Sequence, residues 1–153
     1  MSLISAYVEQ VEFVKSLEPI VVEELQHMHM VFDLLEQRGI RFGRQKPSSY
    51  GRRLHELVRK QEPARAIDRC LVAGLIEARS CERFALLRDG LSDRELARFY
   101  GDLFDSEARH HATFIRLAQY FGSEESVATR LDELAHKEAE IIATGDELPR
   151  MHS

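Results

Sequence analysis

The sequence has little of what marks a secreted, disulfide-linked or membrane-spanning protein. Its 153 residues include two cysteines, and it has no signal peptide and no apolar run of the length that crosses a bilayer. Cys70 and Cys81 would lie about 16 Å apart on one helix, which is too far for a disulfide, so we expect two reduced core thiols. Because strand alternation, internal repeats and low-complexity segments are also missing, the chain is predicted to be all-α, with the cytoplasm as its default location.

What the sequence does contain is a series of amphipathic helices. With 44% apolar and 31% charged residues, residues 1–153 have enough apolar material for the core of one domain. Pro19 is expected in the first turn of one helix, and Ser92 with Glu95 is expected to cap another. The predicted helices cover 3–15, 18–37, 51–61, 63–89, 93–121 and 124–143, followed by an irregular tail at 144–153. A four-helix bundle is the commonest metal-bearing architecture of this class.

Two Glu-x-x-His pairs stand at the centre of apolar helical faces. At about 100° per residue, Glu24 and His27 fall on one apolar stripe, and Glu107 and His110 fall on another. The first stripe contains Leu17, Ile20, Val21, Met28, Val31 and Leu35, and the second contains Leu96, Leu103, Phe104, Phe114 and Phe121. Burying a carboxylate costs several kcal/mol unless it is protonated, paired or bound to a cation. A metal ion would explain both acids.

A lone acid, Glu77, strengthens the case for a metal. Most of its helical neighbours are small, which leaves room for ions and oxygen; they are Ala66, Cys70, Ala73, Gly74, Cys81 and Phe84. If the helices on either side of residue 91 form an antiparallel pair, Glu77 and Glu107 lie almost equally far from the turn. The two acids would then meet at one level.

Two other acidic positions are predicted to lie away from any metal. The third Glu-x-x-His match, Glu133 with His136, lies nearly opposite the apolar stripe of its helix, so we expect a solvated face. Glu82 is about 140° from Glu77 around the helix, and we expect it in an ion pair with a neighbouring arginine.

Charge is distributed unevenly along the chain. Between Arg38 and Lys60 there are eight Lys or Arg residues and one acid, a charge of +7, so the remainder carries −12 of the total of −5. A polyanion could bind this segment, and Tyr50 could stack on a base. From charge alone, a solvated connector that offsets the acidic helices is favoured over RNA binding.

Five segments of the chain resemble one enzyme family. They are IEARSCERF at 76–84, EELQH at 23–27, RGI at 38–40, SEARH at 106–110 and the closing MHS at 151–153. They resemble the tRNA hydroxylases that act on methylthio-isopentenyl-adenosine beside the anticodon, and the match covers nearly the whole chain. The resemblance implies a ferritin-like four-helix bundle with extra helices, a non-haem di-iron centre, and oxygen-dependent hydroxylation of the isopentenyl group. Carried over by position, it makes iron ligands of Glu24, His27, Glu77, Glu107 and His110.

The resemblance also implies partners, and helical geometry and charge suggest supporting residues. The partners are tRNA, molecular oxygen and an unidentified electron donor. Tyr100 and His111 share the Glu107 face and are candidates to support the ligands, although packing is the favoured role of Tyr100. Because a prenylated base in the anticodon stack must splay out to reach a bundle core, basic side chains are expected to hold the flanking phosphates. The candidates are Arg44, Lys46, Arg52, Arg53, Arg59 and Lys60.

One ligand of the ferritin-like pattern has no counterpart in the sequence. Such sites take one Glu from each of two helices and a Glu-x-x-His from each of the other two, and here Glu77 is the one lone acid. The other would fall about 30 residues before Glu24, and Glu9 and Glu12 are too close to replace it. We therefore expect either a shortened first bundle helix or a site that is completed differently. A shortened bundle would leave apolar stripes uncovered, which predicts homo-oligomerisation or poor solubility.

Two other classes of protein stay open at this stage. A ferritin-like iron store or peroxide scavenger would use similar ligands but would need no basic surface for nucleic acid. A metal-free helical interaction protein would need no complete ligand set. Iron content separates the second class from the enzymes, and peroxide consumption without tRNA identifies the first.

Overall fold

The computed structural model describes residues 2–146 and residue 151 of the chain. This part contains no strand, and its α-helices are α1 (Ser2–Ala6), α2 (Val11–Gln37), α3 (Tyr50–Glu56), α4 (Ala64–Gly90), α5 (Arg94–Gln119) and α6 (Glu124–Thr144). The predicted all-α class is confirmed for these residues. None of the helices described combines the length and the apolar character needed to span a bilayer. Most of the predicted irregular tail, at 147–150 and 152–153, lies outside the described residues.

The chain divides into two compact units. The first unit is Met1–Pro47, with α1 and α2, and the second unit is Ser48–Ser153, with α3 to α6. Within the second unit, α4 packs along α5. Helix α3 contacts α4 and α6, and α6 also contacts α4 and α5.

The break between α1 and α2 differs from the predicted one. The sequence predicts a break at 16–17 with Pro19 opening a new helix, whereas α2 begins at Val11 and contains Pro19 in its interior. Proline removes one hydrogen-bond donor, and the helical spacing of apolar residues continues on both sides of it, so the helix persists. The actual break follows Tyr7, whose ring packs edge-on against Phe13 with 5.6 Å between centroids.

The end of α2 agrees with the predicted end. The N–H of Gly39 donates to the carbonyl of Glu36 at 3.0 Å, and the N–H of Ile40 donates to the carbonyl of Leu35 at 2.8 Å. These two bonds form a Schellman motif, which satisfies carbonyls that the helix end leaves open. Gly39 has a φ of 63°, in the left-handed region where glycine carries no steric penalty.

The start of α5 is one residue later than predicted. Asp93, not Ser92, caps the helix, since its carboxylate accepts hydrogen bonds from the N–H groups of Glu95 and Leu96 at 3.0 and 3.1 Å. Ser and Asp are both good N-cap residues, so the sequence alone did not separate two neighbouring candidates.

Gly74 lets α4 and α5 approach each other closely. A Cβ atom on Gly74 would lie 3.3 Å from Cβ of Phe114 and 3.4 Å from Cδ1 of Ile115. A Cβ atom at this position would therefore require Phe114 or the helix to shift by a few tenths of an ångström, which close core packing resists. The glycine therefore sets the separation of the two helices near Glu77, which follows three residues later.

Asp68 on α4 is the centre of a buried ion cluster in the second unit. Its side chain is fully buried, and it accepts hydrogen bonds from Arg59 at 2.8 to 3.0 Å and from Arg130 at 3.0 Å. Burial by itself would raise the pKa of Asp68, but the bonds from the two guanidinium groups outweigh it and lower the pKa. Arg130 also donates to the carbonyl of Leu57 at 3.1 Å. The cluster ties the segment after α3 to α4 and α6.

Candidate metal centre

Helices α4 and α5 bring three potential metal ligands together. Glu77 on α4 and Glu107 and His110 on α5 each offer one ligand atom, and these atoms lie within 4.8 Å of one another. Glu107 and His110 are buried, with exposed fractions of 6% and 2%, and Glu77 is half-buried. The antiparallel pairing of α4 and α5 thus places the lone acid level with the second Glu-x-x-His pair.

The local sequence explains why the three side chains converge. Residues three apart on a helix share a face, so Glu107 and His110 both point toward α4 from the same side of α5. Apolar side chains flank the pair, with Leu103 and Phe114 buried on either side of it. Burial of that stripe therefore carries the acid and the imidazole into the interior.

The electrostatics of the cluster favour a cation. Two carboxylates that lie close together in a partly buried site repel each other unless a proton or a positive ion intervenes. The nearby thiol of Cys81 is affected by the same charges. Burial first, and then the charges of Glu107 and Glu77, raise its pKa to about 11. Carboxylate oxygen and imidazole nitrogen are the donor types of non-haem iron sites. The residues present therefore fit an iron ion.

The first Glu-x-x-His pair lies on α2, in the first unit. Oε1 of Glu24 is 3.7 Å from Nδ1 of His27, and their side chains are 48% and 14% exposed. The expectation that Glu24 is buried is therefore wrong. Its neighbours Leu25 and Met28 are also exposed, at 51% and 44%. Helical periodicity identifies an apolar face, but it does not determine how completely that face is covered.

The acids that were predicted to lie away from a metal do so. Glu133 and His136 are both exposed on α6, which confirms the solvated face. Glu82 pairs with Arg79, one of the arginines in its own helical segment, as expected.

The two candidate supporting residues have different surroundings. The ring of Tyr100 packs against Phe84 and Phe99, with centroids 5.6 and 5.4 Å apart, which agrees with a packing role. Nδ1 of His111 lies 2.7 Å from the carbonyl oxygen of Gly74 on α4. A carbonyl can only accept, so Nδ1 of His111 carries the proton.

The basic segment is less available to nucleic acid than its charge predicts. Arg59 is bound to Asp68, and Arg53 donates to the carbonyl of Ile141 at 3.3 Å. Arg52 forms an exposed pair with Glu56 at 2.7 Å. The remaining candidates are exposed; they are Arg44, Lys46 and Lys60.

Tyr50 does not lie in a position to stack on a base. It is 4% exposed, and its hydroxyl donates to Oε1 of Glu138 at 2.9 Å. Burial first, and then the charge of Glu138, raise the pKa of the Tyr50 phenol. The base-stacking expectation is therefore wrong, because the first residue of α3 belongs to the core.

Sequence reasoning missed Glu138 as a buried acid. Glu138 is 4% exposed and accepts hydrogen bonds from Arg79 at 2.8 and 2.7 Å as well as from Tyr50. A signal was present, since Glu138 lies four residues after Leu134 and three before Ile141, on the buried face of α6. The same wheel that selected Glu107 would have selected it.

The fold and this cluster of acids and imidazole define a helical protein with a group of carboxylate and histidine side chains that could hold a metal ion. The model of the family described as tRNA-(MS[2]IO[6]A)-hydroxylase (MiaE) matches residues 1–153, and the chain belongs to that family. The family that the sequence segments resemble is thereby confirmed.

Curated relatives and a solved structure agree with this family assignment. A protein of Pseudomonas putida KT2440, named tRNA 2-(methylsulfanyl)-N(6)-isopentenyladenosine(37) hydroxylase, is 37% identical over 153 residues, which is 100% of this chain and 74% of the relative. A protein of the same name from Salmonella typhimurium LT2 is 37% identical over 134 residues, covering 88% of this chain and 49% of the relative. The chain thus spans about half the length of the second relative.

A structure of a Synechococcus protein described as having aldehyde deformylating oxygenase activity matches with a TM-score of 0.92 and 36% identity. The match covers 99% of this chain and 77% of that one. The predicted ferritin-like fold class is confirmed by this likeness.

Proposed function

We propose that the chain is a non-haem iron monooxygenase that hydroxylates the isopentenyl group of 2-methylthio-isopentenyl-adenosine beside the anticodon of tRNA. The observation that carries the proposal is the meeting of Glu77, Glu107 and His110 between α4 and α5 in a member of this hydroxylase family. We propose the cytoplasm as the location of this activity, because tRNA is its proposed substrate.

The proposed ligand set has two halves. Glu77, Glu107 and His110 would hold iron in the second unit, where two of the three are buried. Glu24 and His27 are proposed as the other half, because they repeat the Glu-x-x-His spacing on α2 and ferritin-like di-iron proteins take such a pair from each of two helices. When bound, iron supplies the ability to activate oxygen and to hydroxylate an unactivated methyl group, with electrons from a separate donor.

The protein residues contribute charge balance, order and dryness. The carboxylates of Glu77 and Glu107 would offset the charge of a bound cation. Buried His110 offers a ring nitrogen from a position that bulk water does not reach, since its exposed fraction is 2%. A dry site protects a reactive oxidant from side reactions with solvent.

The tRNA is proposed to bind through cations that the structure leaves exposed. Arg52 and Lys60 are exposed in the second unit, and Arg44 and Lys46 are exposed in the first. The pair between Arg52 and Glu56 does not prevent phosphate binding, because an exposed ion pair contributes about 0 to 1 kcal/mol. The modified base would leave the anticodon stack to reach the iron, as enzymes that act on bases require.

The test is mass spectrometry of nucleosides from tRNA that carries the prenylated adenosine. The tRNA is incubated with the protein, ferrous iron, a reductant and oxygen, and a second sample is kept free of oxygen. We expect a gain of one oxygen atom on the prenylated adenosine in the first sample alone. Rapid consumption of peroxide without tRNA and without that product would instead identify an iron store or scavenger.

A further inference from the structure

A hydrogen bond between side chain and backbone joins α4 and α5 on one side of the acids. The Nδ1–H of His111 donates to the carbonyl of Gly74 at 2.7 Å. Gly74 lies three residues before Glu77, and His111 lies four residues after Glu107. Since three or four residues make one helical turn, the bond lies about one turn from each acid.

A second contact of the same kind lies on the other side of the acids. The thiol of Cys81 is 3.8 Å from the carbonyl oxygen of Phe104, within reach of a weak S–H hydrogen bond. Cys81 lies four residues after Glu77, and Phe104 lies three residues before Glu107. The two contacts therefore bracket the acids symmetrically, with the side chain supplied once by α5 and once by α4.

We propose that His111 and Cys81 are positioning residues that fix the register of α4 against α5, and so set the distance between Glu77 and Glu107. The inference rests on the proposed function, since the value of that register is a site whose ligand atoms are prearranged for iron. His111 is the stronger of the two because its bond is short and its ring lies beside Gly74, where Nδ1 would be 3.6 Å from an added Cβ.

The physical reason is that two bridges resist motions that one bridge permits. A single contact allows the helices to pivot about it, whereas contacts on both sides of the acids resist both pivoting and sliding along the axis. A metal site tolerates errors of about 0.5 Å in ligand position, which is less than the rise of one residue. Residues that orient ligands in this way typically change metal affinity by about 10- to 100-fold when they are replaced.

The test compares His111→Phe with His136→Phe. Both replacements remove an imidazole whose Nδ1 bonds to a backbone carbonyl, but His136 bonds to Asp132 within α6 on an exposed surface at 2.8 Å. The metal-free chain is titrated with cobalt(II), whose visible absorption reports on the coordination geometry, and its thermal unfolding is measured separately. We expect about tenfold weaker cobalt binding and an altered spectrum for His111→Phe, and no change for His136→Phe.

Two further variants separate positioning from simple stability. His111→Gln retains an amide donor and should recover part of the affinity, whereas Cys81→Ala should lower it by less than His111→Phe, since a thiol is a weak donor. Parental cobalt affinity and spectrum in His111→Phe would overturn this inference and leave the proposed function intact. A His111→Phe chain that unfolds without metal, or a lower melting temperature at full affinity, would overturn it in favour of a purely structural role. If the parent chain itself binds neither cobalt nor iron, the proposed function fails as well.

Discussion

The hydroxyl of Tyr50, at the start of α3, lies 2.9 Å from Oε1 of Glu138 in the middle of α6. Arg79 on α4 donates to the same carboxylate, so one buried acid joins three helices. Arg52 and Arg53 follow Tyr50 directly in the sequence. The tyrosine therefore attaches α3 to the core and takes no part in the exposed surface of that helix.

Replacing Tyr50 with Phe should lower the free energy of unfolding by about 1 kcal/mol, the usual cost of one buried hydrogen bond. Glu138 keeps Arg79 as a partner, so the loss should not be larger. Chemical denaturation measures the change, with Tyr120→Phe as the control, because Tyr120 is 54% exposed. Parental stability in Tyr50→Phe would contradict a stabilising role for this hydrogen bond.

Replacing Asp68 with Asn should destabilise the second unit by about 3 kcal/mol, because two arginines then lose the charge that compensates their partial burial. Urea denaturation of the metal-free chain is the appropriate measurement. Asp89→Asn is the matched control, since Asp89 pairs with Arg88 on an exposed surface. This variant should unfold at the parental urea concentration. Equal urea midpoints for Asp68→Asn and the parent would show that the cluster does not stabilise the second unit.

The pH dependence of stability should carry the signature of Asp68. Hydrogen bonds from Arg59 and Arg130 lower its pKa in the folded state, against the effect of burial. Its contribution is therefore complete above the unfolded-state pKa of about 4 and is lost as the pH falls below that value toward the folded-state pKa. The difference in unfolding free energy between the parent and Asp68→Asn, measured without metal, should be constant near neutrality and should shrink in acid. A difference that grows in acid would contradict the sign of the shift.

Replacing Arg52 and Lys60 together with Gln should weaken tRNA binding and flatten its salt dependence. Each phosphate contact that is lost should reduce the slope of log affinity against log salt by about one. Lys137→Gln is the control, since Lys137 is exposed on α6 and pairs with Glu140 at 2.9 Å. Unchanged affinity of the double variant at low salt would assign tRNA binding to another surface.

The sequence predicted the three long helices of the second unit and the meeting of Glu77 with Glu107 and His110, because both depend on local periodicity, whereas the helix predicted at 51–61 ends at Glu56. Glu107 and His110 could be placed in the core from the apolar residues one turn away, and Glu77 could be placed opposite them from its distance to the turn. These inferences need no knowledge of distant contacts.

The remaining features depend on tertiary contacts that periodicity does not encode. Arg59 bonds to Asp68, although its side chain is still 45% exposed, and Tyr50 is held in the core by Glu138. Pro19 looked like a helix start, although the helix continues through it. The net charge of a segment therefore overestimates the number of cations available to a polyanion. In a sequence, an arginine that bonds within the protein counts the same as one that does not.

Glu77, Glu107 and His110, between α4 and α5, are proposed to bind the iron used to hydroxylate tRNA. The most direct measurement is iron per chain, together with heavy oxygen from labelled oxygen gas on the prenylated adenosine, in the parent, Glu107→Ala and Glu133→Ala. Glu133 belongs to the exposed Glu-x-x-His match and serves as the control. We expect Glu107→Ala to lose both iron and labelled product and Glu133→Ala to retain both. Parental iron and parental product in Glu107→Ala would contradict this proposal.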